Sequence, residues 1–138
     1  MTKELWINLP VRDVKKSREF FTKIGFKQNA RFPETQQMSS IIVGSKNIVV
    51  MLCAESMFQG FTQNKLPDVK QSTEVLFSFD AESREEVDEL ASKVEAAGGT
   101  VYAKPGENQG WMYGFGFADI DGHRWNALYM DMSKMPKE

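Results

Sequence analysis

The chain has 138 residues, with 17 Lys and Arg against 19 Asp and Glu for a formal charge of -2. The charges are scattered, which excludes the basic stripe that nucleic acids need and the lysine-rich patch of a membrane-surface protein. No apolar stretch approaches the roughly 20 residues that span a bilayer.

A chain of this length fits one domain that buries roughly 68% of its unfolded surface, so neither metal nor disulfide is needed for folding. Its single cysteine, Cys53, permits no intrachain disulfide. The segment MTKELWINLP lacks the apolar run of a secretion signal. A soluble cytoplasmic protein is expected.

Residues 4–11, ELWINLPV, set Leu5, Ile7, Leu9 and Val11 against Glu4, Trp6, Asn8 and Pro10, the period of a strand with two unlike faces. Asp13 then suits the N-cap of DVKKSREFFTKI, whose Val14, Phe20, Phe21 and Ile24 share a helical face. Gly25 supplies the left-handed conformation that closes the helix. Strand-like runs follow at FKQNARF, SSIIVG and NIVVMLC, with Ser45 and Lys46 after Gly44 forming a hairpin turn.

The second half repeats the order. STEVLFSFD, residues 72–80, alternates Val75, Phe77 and Phe79 with Glu74, Leu76 and Ser78. Ser83 and Glu86 read as a capping box for a helix bearing Val87, Leu90, Ala91, Val94 and Ala97 on one face, and Gly98 and Gly99 end it. TVYAK, MYGFGFAD and HRWNALYMD are three further strand-like pieces. Each half is therefore strand, helix, strand, strand, strand. The boundaries are a first module over about 1–54, a linker over 55–71, a second module over 72–131 and a short tail.

On LPVRDVKKSREFFTKIGF, AAGGTVYAKP and FADIDGHRWNALYMD, the sequence resembles the glyoxalase/bleomycin-resistance/extradiol-dioxygenase superfamily, also called vicinal oxygen chelate proteins, across nearly its whole length. It is most similar to a bacterial glyoxalase-like branch with no settled reaction. The resemblance implies an α+β fold in which two βαβββ modules form curved mixed sheets around a cavity, and a homodimer. It does not imply one activity, because isomerases, dioxygenases, thiol transferases and drug-sequestering proteins share the scaffold.

Metal-dependent members take histidine, glutamine and glutamate ligands from strand positions that match Trp6, Met51, Glu74 and Asn126 here. Only Glu74 is a good ligand: an indole offers no lone pair, a thioether suits soft ions, and an amide oxygen is weak without carboxylates. With one histidine per chain, a two-His-one-carboxylate triad cannot form within a protomer. No cofactor is expected, with a divalent metal held through a different ligand set left open.

His123 follows Asp121-Gly122, a dipeptide suited to tight turns, and reads as a turn residue. The D-x-D-G pattern fails as a calcium loop, because its first and twelfth positions would be Phe117 and Leu128. Cys53 reads as a small buried hydrophobe.

Strand parity assigns Trp6 and Asn8, Glu74, Leu76 and Ser78, and Asn126, Leu128 and Met130 to faces opposite the helices, and groups Met51 with Val49 and Cys53. Apolar walls with a large aromatic and a few polar groups are the general lining of a small-molecule site. The expected ligand contacts are Trp6, Asn8, Met51, Leu76, Asn126 and Leu128. MFQGFTQ and NQGWMYGFGF read as mobile rims, with Trp111 and Tyr113 at the mouth.

Two functions are compatible with these residues. One is a metal-free protein enclosing a hydrophobic or weakly cationic small molecule. The other is a glyoxalase- or dioxygenase-type enzyme that uses Glu74 as acid, base or metal ligand.

Overall fold

The structure, a computed structural model, describes residues 1–136. It falls into two compact units, Met1–Ser72 and Thr73 onward. Residues 137 and 138 of the expected tail lie outside the described residues.

In the first unit, β1 (Trp6–Val11) leads to α1 (Val14–Lys23), followed by β2 (Lys27–Gln28), β3 (Met38–Val43) and β4 (Ile48–Ala54). The sheet order is β1-β4-β3-β2, with β1 parallel to β4 and the other pairs antiparallel. The Asp13 carboxylate accepts from Lys16 N at 3.0 Å and so caps α1, while Gly25 closes it at φ +112°. Leu9, Val11, Ile41, Val50 and Leu52 are buried with Val14, Phe20 and Phe21 of α1. Each fully buried side chain of this kind contributes about 1.5–3 kcal/mol.

The segment expected to be a linker opens with a helix, α2 (Glu55–Thr62), packed on β1 and β4. Its half-buried Met57 and Phe58 point into the unit, and Phe58 lies against Val49, Met51 and Cys53. MFQGFTQ is therefore helical and does not form the expected loop rim.

In the second unit, β5 (Leu76–Asp80), α3 (Arg84–Ala96), β6 (Thr100–Asn108), β7 (Met112–Ala118) and β8 (Arg124–Met130) repeat the plan. The order β5-β8-β7-β6 matches that of the first sheet, and neither sheet closes on itself. The Ser83 hydroxyl accepts from Glu86 N at 3.1 Å. The return bond of the capping box is displaced by one residue, since Glu86 Oε2 accepts from Glu82 N.

Two strand boundaries differ from expectation. The strand expected over 72–80 begins at Leu76, because the ladder partner β8 begins at Arg124 and earlier residues have nothing to pair with. NQGWMYGFGF is a turn followed by β7, whose Phe115 and Phe117 are buried. Both observed sheets and the three helices make the fold α+β, with two βαβββ modules as expected. No helix among the described residues is long and apolar enough to cross a membrane.

Candidate functional site

The second sheet has one face against α3 and one face away from it, whereas on the first sheet α1 covers one face and Phe58 of α2 reaches the other. On the first sheet, register places Asn8, Met51 and Ser40 in one row across β1, β4 and β3, with Trp6 and Val49 in the adjoining row. Met51 is only 8% exposed, in a cluster with Val49 and Cys53 that Phe32, Met38 and Phe58 cover. Trp6 is 50% exposed, and its ring meets Phe32 edge-on at 5.9 Å. Cys53 Sγ donates to Asn8 Oδ1 at 3.6 Å, and burial pushes the Cys53 thiol above its ordinary range. The Ser40 hydroxyl is buried and has no hydrogen-bond partner among the described residues.

The corresponding row of the second sheet is Ser78, Asn126 and Gly116, flanked by the Leu76-Arg124 and Asp80-Leu128 pairs. Parity in β8 follows the expectation: Trp125 and Ala127 are buried against the helix side, while Asn126 and Leu128 lie opposite. Glycines make this second face possible. A Cβ on Gly116 would lie 2.6 Å from Tyr102 Cζ, so the tyrosine ring of β6 rests directly on the backbone of β7. A Cβ on Gly114 would lie 2.5 Å from Leu128 Cδ2, so Leu128 folds over β7 in the same way. Arg124 Cζ sits 4.2 Å from the centroid of the Tyr102 ring. Arg124 Nε and Asn126 Oδ1 are buried without hydrogen-bond partners.

Glu74 is exposed and precedes β5, so the residue occupying in β5 the place that Trp6 has in β1 is Leu76, itself 48% exposed. Tyr113 shares the helix-side parity of Phe115 and Phe117. Its hydroxyl donates to Asp88 of α3 at 2.7 Å, Arg84 lies over its ring, and the Asp88 bond raises the Tyr113 pKa. Trp111 sits in the turn before β7, with its Nε1 buried and unpartnered and its carbonyl accepting from Asp131 N. Sequence reasoning passed over Arg124, although its parity with Asn126 was open to inspection, and it passed over Tyr102 because nothing local shows a ring lying across two strands.

The D-x-D-G segment is a turn. Asp119 Oδ1 accepts from Asp121 N and His123 N, each at 3.0 Å, and Oδ2 accepts from Trp125 Nε1 at 3.1 Å. Burial pushes the Asp119 carboxyl up, against the His123 charge and the Trp125 bond that favour its ionised form. These bonds aim the chain into β8 and thus set the positions of Arg124 and Asn126.

Among the described residues no three His, Cys, Asp or Glu side chains come together as a ligand set. The rows that would face a metal offer amides, a thioether and hydroxyls, which do not fit a divalent ion taking imidazole and carboxylate. Elsewhere, an open groove of about 690 Å³ lies beside the start of α1, near Arg12, Lys15, Arg18 and Glu34. There Arg18 is engaged by Glu34 and Asp13 by the helix cap.

The sequence profile of the Glyoxalase/Bleomycin resistance protein/Dioxygenase superfamily matches residues 5–127. Among solved structures, a hypothetical protein from S. aureus is 38% identical, with 94% of each chain covered and a TM-score of 0.81. A glyoxalase/bleomycin resistance protein/dioxygenase family enzyme from Burkholderia phytofirmans is 18% identical, with 91% of this chain and 96% of that chain covered and a TM-score of 0.75. A lactoylglutathione lyase from Agrobacterium tumefaciens is 16% identical, with 94% of each chain covered and a TM-score of 0.64. The two more distant likenesses concern the fold alone. None of the curated proteins matches the chain.

Proposed function

The chain belongs to the Glyoxalase/Bleomycin resistance protein/Dioxygenase superfamily, and from that premise we propose that it binds a small organic molecule without the metal centre that many relatives use. The observation that carries this reading is the donor chemistry of the two sheet rows. Asn8, Met51 and Ser40 in one and Ser78, Asn126 and Gly116 in the other contain no imidazole and no carboxylate. What they do contain is neutral amides and hydroxyls, and the exposed Trp6 and Leu76 beside them supply the apolar contact that a small-molecule site combines with such polar groups.

Elemental analysis of protein purified without chelators tests the first half of the proposal. Less than a stoichiometric divalent ion is expected, and one tightly held ion per chain would refute it. Quenching of Trp6 fluorescence across a ligand panel tests the second half, with Trp111→Phe and Trp125→Phe isolating the signal from the other tryptophans. For any ligand so found, turnover that Glu74→Gln abolishes would favour an enzyme instead. The exposed position of Glu74 ahead of β5 weighs against that outcome.

A further inference from the structure

On the face of the second sheet away from α3, the Arg124 guanidinium lies over Tyr102, its Cζ 4.2 Å from the ring centroid, and Tyr102 is seated in the space that Gly116 leaves open. The tyrosine ring thus supports the arginine from one side. None of the ion pairs among the described residues involves it, and its Nε is buried with no acceptor. Two residues along β8, with its Cα about 6.6 Å from that of Arg124 at ordinary strand rise, Asn126 has its amide oxygen buried with no donor. A desolvated donor and a desolvated acceptor left unmet on one face of the same strand call for a partner that supplies the opposite of each. Leu76 pairs with Arg124 across the ladder, and Leu128 follows Asn126 on the same face, so the polar pair is bordered by apolar side chains.

Building on the small-molecule reading above, we propose that Arg124, Tyr102 and Asn126 form a recognition subsite for a small organic carboxylate bearing a hydroxyl or amine next to the carboxyl group. The carboxylate takes the guanidinium edge in the forked geometry that arginine favours. The neighbouring hydroxyl or amine donates to Asn126 Oδ1. A phosphate would fit the arginine equally well, but it would turn a further anionic oxygen toward the amide oxygen, where two acceptors repel. This assigns the ligand an anionic end, in place of the hydrophobic or weakly cationic character expected from the sequence.

The probes are 3-phenyllactate, its neutral amide, 3-phenylpropionate, which lacks the hydroxyl, and phenyl phosphate. Binding is read by titration calorimetry and by the Arg124 Nε–Hε resonance in NMR. The acid is expected to bind more tightly than its amide, to move that resonance, and to lose roughly tenfold to a hundredfold in affinity in Arg124→Gln, as loss of a charge-assisted bond implies. Asn126→Leu should weaken 3-phenyllactate more than 3-phenylpropionate. If Arg124→Gln fails to fold, Arg124→Lys together with the wild-type resonance carries the same test. Equal binding of acid and amide, an unmoved Arg124 resonance in the bound state, or a preference for phenyl phosphate overturns the subsite while leaving the small-molecule reading intact. If no probe binds and the wider panel also fails, that reading itself falls.

Discussion

The two glycines of β7 allow a sharp test of how the second sheet is built. Neither Gly114 nor Gly116 has the left-handed backbone that would strain an alanine, so substitution reports on space alone. At Gly114 the new methyl would stand 2.5 Å from the Ala127 carbonyl oxygen, about 0.9 Å short of ordinary contact. That oxygen belongs to the paired strand, and moving β8 by this distance would stretch neighbouring ladder bonds from about 2.9 Å beyond hydrogen-bonding range. Two such bonds at about 1 kcal/mol each, with the overpacking of Leu128, put the cost at about 2–3 kcal/mol. For a chain of this size that corresponds to a Tm about 10 °C lower.

At Gly116 the clash is with the far end of the Tyr102 side chain, which is 43% exposed and free to swing away. Its stacking with Arg124 is worth about 0.5–1 kcal/mol, and the smaller unfolded-state entropy of alanine returns about as much. Gly116→Ala should therefore melt within a few degrees of the wild type. Thermal unfolding followed by far-UV circular dichroism decides the matter. A Gly114→Ala protein as stable as the wild type, or one more stable than Gly116→Ala, would refute the placement of Leu128 and Tyr102 on this face.

Asp119→Ala removes the acceptor of two backbone N–H groups and the Trp125 indole, and with buried donors stranded it should cost about 3 kcal/mol, measured by urea unfolding. Cys53 should resist Ellman's reagent at pH 8 in the native protein and react at once in denaturant, since it is fully buried with its thiol pKa raised; rapid native labelling would contradict that burial. Burial alone would raise the Glu34 pKa, but bonds from Ser39 and Arg18 and the Arg18 charge prevail and lower it. A carboxyl lowered on folding stabilises the protein above its unfolded pKa and loses that contribution as pH falls through the folded value. Glu34→Gln should therefore flatten the stability profile below about pH 4.3 and leave the slope near neutrality unchanged. Tyr113→Phe should leave ligand affinity unchanged in the fluorescence assay, because its hydroxyl serves α3; a large loss would place Tyr113 at the ligand.

Elements with a strong period or a chemical terminator were legible in the sequence. Asp13 and Ser83 cap where expected, Gly25 closes α1, and the alternation of Leu9 and Val11 with Asn8 assigns the faces of β1. The elements that escaped are those whose local signals conflict with their surroundings. α2 has only eight residues with Gly60 inside it, a weak helix on propensity, and the packing of Phe58 on Met51 and Cys53 stabilises it. β6 runs on to Asn108 through Pro105, beyond the expected TVYAK, and its register shifts on either side of Ala103 accommodate the interruption. Glu74 fits the period of β5 but lies beyond the reach of its partner, because the length of a strand depends on where its neighbour begins.

The candidate site was half legible for a related reason. Parity fixes which side chains share a face, so the placing of Asn126 with Leu128 was legible, but it carries no information about which polar groups lose water without gaining a partner. That depends on what lies across the sheet. The alternation G-F-G-F in β7 places bulk on the helix side and removes it from the other, and this vacancy lets Tyr102 reach over to Arg124. The repeated module thus holds two rows of the same strand order in different physical states. In the first, Phe32 and Phe58 cover the central residues, the Asn8 amide oxygen already accepts from Cys53, and the buried atom of the row left unmet among the described residues is a neutral hydroxyl, that of Ser40. In the second, the Arg124 Nε and the Asn126 amide oxygen are buried with bonds unmade. A duplicated scaffold can separate packing from recognition in this way without changing a strand, since the ladder fixes position and leaves the chemistry of each row to its side chains.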